Sequence, residues 1–184
     1  MSLIMFMNDV GEPLEQGDVV IIGQNRTLRY YGADNGIPVP EVDLTETACD
    51  TRVLGIVSSV FTELRQEETE GPEPQAKSKS GKSQSKKSAM PRQAYTPEEM
   101  QQLDHATVGQ DQIGWLATQG LFPVCKVDAD IAPISVGDLL TTSPTRGHAQ
   151  KVIDPAKAVG AILGKALGSL KKGKGKIPVI LLLH

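Results

Sequence analysis

The apolar residues of this chain fall in short runs separated by glycine-centred turns, and one arrangement of runs occurs twice. Gly17-Asp18 opens the run Val19-Val20-Ile21-Ile22, and an irregular stretch then leads to a second run broken by glycine, Val53-Leu54-Gly55-Ile56-Val57. Near the end the order returns: Gly137-Asp138 opens Leu139-Leu140, a loop follows, and Val159 to Gly164 is again an apolar run with glycine in it. Short runs bounded by turn residues are strand signals. They predict a mainly β protein of two similar β units, packed as a sandwich or small barrel. An Asp directly after a turn glycine can accept hydrogen bonds from the turn's backbone N–H groups and so fix the strand's entry angle. Gly17, Asp18, Gly137 and Asp138 are therefore assigned to a repeated structural turn rather than to a pair of catalytic carboxylates.

Between the units the pattern stops. From Gln66 to Arg92 there is no Ile, Leu, Val or aromatic residue, and an acidic part (Glu67, Glu68, Glu70, Glu73) gives way to a Lys/Ser part (Lys77, Lys79, Lys82, Lys86, Lys87). Such a stretch cannot bury enough surface to offset the entropy of ordering it. The expected organisation is a first β unit at 1–65, a disordered acidic-then-Lys/Ser linker at 66–95, and at 96–184 a short helix plus the second β unit, packed with the first. The helix follows from Thr96-Pro97-Glu98-Glu99, where Thr is the N-cap, Pro the first helical residue and Glu closes a capping box. It should run to about Asp104, with Met100 and Leu103 on one face and His105 at its end.

The rest of the second half reads as strands. Trp115-Leu116-Ala117 runs to Gly120, and Leu121-Phe122-Pro123-Val124-Cys125-Lys126-Val127 places its proline at a strand start or on an edge. Ser143 to His148 is a turn-rich loop, and a short strand is expected around Ala149 to Val152. Gly160, Gly164 and Gly168 recur at a spacing that would suggest helix dimerisation in a membrane span. Here Lys165 and the nearby turns favour a strand with glycine at a bulge or close crossing. Lys171-Lys172-Gly173-Lys174-Gly175-Lys176 is a basic hairpin turn, and Ile177 to Leu183 is a continuously apolar strand expected to be covered on both faces.

Composition narrows the function classes. With 184 residues, 39% of them hydrophobic and 4% aromatic, the chain can build a modest aliphatic core and has little material for stacking on sugars or bases. A net charge of -3 argues against a surface that seeks nucleic acid throughout. No apolar run approaches the roughly 20 residues of a bilayer span, and Met1 to Met7 lacks the length and basic start of a signal peptide. Synthesis in the cytoplasm without a cleaved signal is expected.

Candidate chemistry is sparse. No phosphate loop or dinucleotide fingerprint occurs, and the Gly173-Lys174 turn lacks the strand-loop-helix setting of a phosphate cradle. His105, His148 and His184 lie far apart and both cysteines are solitary, so no metal or cofactor is expected. Cys49 and Cys125 could pair if the units pack together, although buried free thiols are commoner. Ser143, Thr145 and His148 share one loop, with Asp138 just before it, so a nucleophile-base-acid arrangement can be drawn. Polar neighbours of this kind occur in any exposed β-loop, and no catalytic residue is assigned.

Pro123 to Val127, Gly137 to Ala149, Gly160 to Leu167 and Ile177 to Leu182, with Arg52 to Ser59 earlier, resemble a β-rich module at the carboxyl-terminal end of bacterial phage-tail-fibre-like proteins and phage-tail-like (contractile injection) particle components. The resemblance implies a non-enzymatic structural piece, a capping or fibre-end module in a virion or phage-tail-like particle. It also implies a homo-oligomer, a trimer favoured, in contact with other tail or particle proteins. Uncovered strand edges would invite such association. Two alternatives remain: a surface-binding, adhesin-like module that meets a glycan or anionic surface through Arg146, His148, Lys171, Lys172 and Lys174, and a self-cleaving intramolecular chaperone domain.

Overall fold

The computed structural model describes residues 1–23, 29–31, 37–60 and 107–183, with the backbone alone at 29–31, 37, 59 and 60. The expected linker at 66–95 and the helix from Thr96 to Asp104 lie outside these residues. The described fold is mainly β. Its strands are β1 (Ser2–Asn8), β2 (Val19–Ile22), β3 (Arg29–Tyr31), β4 (Ile37–Val39), β5 (Glu41–Leu44), β6 (Val53–Val60), β7 (Ile113–Asp128), β8 (Leu139–Thr142), β9 (Ala149–Lys151), β10 (Ile162–Ala166) and β11 (Lys174–Leu182). β3 and β4 pair only with each other; the others form one sheet of nine strands.

That sheet closes on itself twice. β1 pairs in parallel with β5, and antiparallel pairs then run β5 to β2, β2 to β6, β6 to β7 and β7 back to β1. The second circuit repeats the order and the sense: β7 is parallel to β9, and antiparallel pairs run β9 to β8, β8 to β10, β10 to β11 and β11 back to β7. The long strand β7 belongs to both barrels. Its first half faces β1 from Met7↔Ile113 to Ser2↔Gln119, and its second half faces β11 up to Lys174↔Asp128. Gly120 stands at the handover with φ +98, and a Cβ there would lie 3.0 Å from Met1 Cα.

Closure changes two expectations. Every strand of the large sheet has a partner on both sides, so bare edges give these strands no reason to associate. The run Ile177 to Leu183 is expected to be covered on both faces; instead Ile177, Val179 and Leu181 are buried, while on the other face Pro178 is exposed and Ile180 and Leu182 are half-buried. In a barrel one face of each strand looks inward and the other outward, whatever the residues.

Phe6, Leu14, Val20, Val42, Val57, Val108 and Leu116 fill the first barrel. Cys125, Val127, Leu140, Leu163, Val179 and Leu181 fill the second, and Val19, Ile56 and Ala117 of the first barrel pack into that same cluster. Each Val, Leu, Ile or Phe among them contributes about 1.5–3 kcal/mol by leaving water. Apolar packing therefore runs across the junction as well as within each barrel. Gly164 marks a close crossing, since a Cβ there would lie 2.0 Å from Ile180 O, and the β10–β8 register shifts between Ile162 and Gly164. Both cysteines are free thiols, Cys125 buried and Cys49 half-buried. Burial pushes the Cys125 thiol far up, which leaves it protonated and unreactive.

Candidate functional site

The two Gly-Asp turns have the same wiring. Gly17 and Gly137 take positive φ, +95 and +91, the left-handed region that glycine enters without cost. Glu15 N donates to Asp18 Oδ2 at 2.7 Å and Asp18 N to Glu15 O at 3.1 Å. In the second barrel Ser135 N donates to Asp138 Oδ2 at 2.8 Å and Asp138 N to Ser135 O at 3.1 Å. Upstream, Val10 N donates to Asn8 Oδ1 and Asp130 N to Asp128 Oδ1, at 2.9 and 2.8 Å. Downstream, Val57 N donates to Asp18 O and Ala166 N to Asp138 O, at 2.8 and 2.9 Å. Leu14 bridges to Val108 as Ile134 bridges to Leu170.

The turns differ in what lies against them. Lys126, from the second half of β7, places Nζ 2.7 Å from Asp18 Oδ1 and 2.9 Å from Glu15 Oε2. Its backbone N donates to Gly17 O at 2.9 Å. Lys126 thus ties the second barrel to the turn of the first. Its hydrogen bond and charge hold the Glu15 carboxyl below the usual carboxylate range. Burial pulls the Lys126 ammonium down, but Asp18 and Glu15 outweigh it and the net shift is upward. Asp138 is served from within its own barrel by Lys151, 2.9 Å from Oδ2, which holds that carboxyl low.

The loop from Ser143 to His148 makes the other half of the joint. It is folded on itself by Thr145 N donating to Ser143 Oγ at 3.1 Å, and by Ser143 N donating to His148 O at 3.0 Å. The Thr145 hydroxyl donates to Asp128 Oδ2. Burial alone would raise the Asp128 carboxyl; Thr145, the Asp130 N–H, Lys174 and His148 outweigh it and lower it. The loop tip enters the first barrel's end, where Val19 N donates to Gly147 O at 2.9 Å and Gly147 N to Thr45 O at 3.0 Å. A Cβ on Gly147 would lie 2.8 Å from Asp18 Oδ1, so a larger residue would displace the contact. Beside it, Arg146 forms ion pairs with Glu12, at 2.8 Å, and with Glu46.

Arg146 also borders a cleft of about 340 Å³ lined in addition by Ile21, Asp43, Leu44, Glu46 and Arg52. Arg52 is held by Asp50, with Nε 3.0 Å from Oδ1 and a terminal nitrogen 2.6 Å from Oδ2. Both guanidinium groups of the cleft thus already face carboxylates. The drawn triad is not assembled: Asp138 faces Lys151 and Ser135 N, while His148 Nδ1 lies 2.6 Å from Arg146 O. Lys171, Lys172 and Lys174 are exposed at the β10–β11 turn, where Gly173 N donates to Asp130 Oδ1 at 3.0 Å. Arg146 is directed instead at the first barrel, so the residues assigned to one binding loop do not share one set of partners.

Sequence reasoning missed Lys126, which reads there as a polar alternate in a strand. Its neighbours Cys125 and Val127 are fully buried, and strand alternation puts Lys126 on the opposite face, as it would a solvent-facing lysine, so the linear pattern holds no signal for the joint. Among the described residues no group of three or more His, Cys, Asp or Glu side chains could hold a metal ion, and no helix is long and apolar enough to cross a membrane.

No family model and no curated protein matches the chain. A solved structure that is similar is the N base of the head fibre gp8.5 of bacteriophage phi29, at 11% sequence identity and a TM-score of 0.43, covering 98% of this chain and 95% of that chain. A likeness at this level fixes neither activity nor partner.

Proposed function

We propose that this chain is a non-enzymatic structural module of a phage-tail-like particle, a capping or fibre-end piece that works as a homo-oligomer, with three copies favoured. The observation that carries this reading is the use made of the polar side chains. Asp18, Asp128, Asp138, Lys126, Thr145 and Arg146 all hold turns or join the barrels. Such an arrangement stiffens a double barrel and leaves exposed apolar residues on its surface for association. The equivalent wiring of the two Gly-Asp turns supports a duplicated unit. The sequence resemblance supports the particle class, with other tail or particle proteins as partners.

Light scattering on the purified chain at micromolar concentration tests the reading. A stable mass of three times 19.7 kDa is expected; a persistent monomer overturns the homo-oligomer.

A further inference from the structure

The end of the first barrel at Gly17-Asp18-Val19 is covered, and among the described residues the corresponding end of the second is not. Gly17, Asp18 and Val19 are all buried, the last fully, beneath Val124, Lys126 and the loop tip at Gly147. A Cβ on Gly17 would lie 3.0 Å from Val124 Cγ1, whereas one on Gly137 would meet nothing within 4 Å. Leu139, the counterpart of Val19, is 38% exposed, and around it Val136, Ile153 and Leu167 are 65%, 60% and 38% exposed. Backbone pairing brings them together. Val152 N donates to Leu139 O, Gly137 N to Ala166 O and Ala166 N to Asp138 O, so Ile153 and Leu167 each stand one residue beyond a partner of this turn.

The chemistry of this end changes while its geometry is kept. By the same pairings Ile153 takes the place of Glu46 and Ala132 that of Glu12, the two carboxylates that grip Arg146 in the first barrel. Val136 replaces Gln16, and Leu167 replaces Ser58. A contact within one chain needs little affinity because the tether keeps its partners together. A contact between separate chains has no tether and draws its free energy from apolar burial. The cation follows the same logic: the stretch of β1 corresponding to Lys126, Phe6-Met7, carries no charge, and Asp138 takes its cation from Lys151 in its own barrel.

We propose that the Val136-Leu139-Ile153-Leu167 end of the second barrel receives the first barrel of a second copy of this chain, so that the contact joining the barrels within a chain is repeated between chains. This rests on the assembly reading above and specifies its interface. The two surfaces differ, so the contact is head-to-tail: it closes into a ring if the rotation permits and otherwise grows as a fibre. A ring of three accommodates the favoured trimer.

The test is the full-length V136E/L139E variant, with V136S/L139S as a milder second form; Val136 is 65% and Leu139 38% exposed, so circular dichroism should match that of the parent, and the serine form separates lost contact from any loss of stability at Leu139. Scattering should give 19.7 kDa for the variant alone. The variant keeps an intact first barrel, so a tagged form should still capture the untagged parent and cap its assembly. A variant that assembles like the parent overturns this interface and leaves the assembly reading standing. A monomeric variant that fails to capture the parent overturns the head-to-tail arrangement. A parent chain that is itself monomeric overturns both.

Discussion

Replacing Lys126 by Met keeps most of the aliphatic stem and removes the charge between the barrels. The ammonium lies 2.7 Å from Asp18 and 2.9 Å from Glu15, with Lys126 and Asp18 side chains only 15% and 7% exposed. Breaking a buried pair by removing one partner costs about 3–5 kcal/mol, because the remaining charge stays buried. Glu15 is largely exposed and returns to water, so its share is that of a surface pair, under about 1 kcal/mol. Asp18 retains the Glu15 N–H, which places the expected loss at about 3 kcal/mol. For a chain of this size that is a fall of roughly 6–12 °C in melting temperature. Lys151→Met is the internal control: Lys151 serves the equivalent Asp138 at 2.9 Å, against 2.7 Å for Lys126 and Asp18, but both of its pair's side chains are more exposed. It should cost under about 1 kcal/mol. Thermal and urea melts of both variants, with Asp18→Asn and the double K126M/D18N variant to close the cycle, measure the coupling. Equal losses for K126M and K151M, or a coupling of zero between Lys126 and Asp18, would refute the view that this pair holds the barrels together.

Two further outcomes follow from geometry and charge. Gly164→Ala should cost at least about 2 kcal/mol in a urea melt, because its Cβ would approach Ile180 O to 2.0 Å and the β10–β11 backbones would have to part. Gly173→Ala, at φ +79 with nothing within 4 Å, should cost only about 1 kcal/mol of backbone strain, and a reversal of that order would contradict the close crossing. Glu15, Asp50, Asp128 and Asp138 all have lowered carboxyl values, so each contributes stability that is present above its unfolded value and lost as pH falls through its folded one. Melting temperature should hold between about pH 5 and 7 and drop below about pH 4. The raised Lys126 works in the opposite sense, its contribution complete below about pH 10 and lost above its folded value. A melting temperature that rises on acidification would show that these pairs do not stabilise the fold.

The linear pattern of residues was enough for the local devices. Gly17-Asp18 and Gly137-Asp138 announce turns because only glycine enters that backbone region freely and an adjacent carboxylate can accept the turn's N–H. The Gly164 crossing was legible for the same kind of reason, a missing side chain within an aliphatic run. Strand content followed from short apolar runs between turn residues, all of them interactions among residues close in sequence.

Closure, the shared strand and the joint were decided in three dimensions. Nothing in Ile113–Asp128 distinguishes one long strand serving two barrels from two strands meeting at Gly120, because the difference lies in which distant strands, β1 and β11, pair with each half. The apolar tail could not reveal that one of its faces is outward, since barrel closure sets that face and the composition of the strand does not. Arg146 read as a free surface cation; Glu12 and Glu46, far away in sequence, claim it. Val19 and Leu139 occupy equivalent places in the local pattern, yet one is sealed and the other open, because burial depends on what the rest of the chain lays over a position rather than on the residue itself.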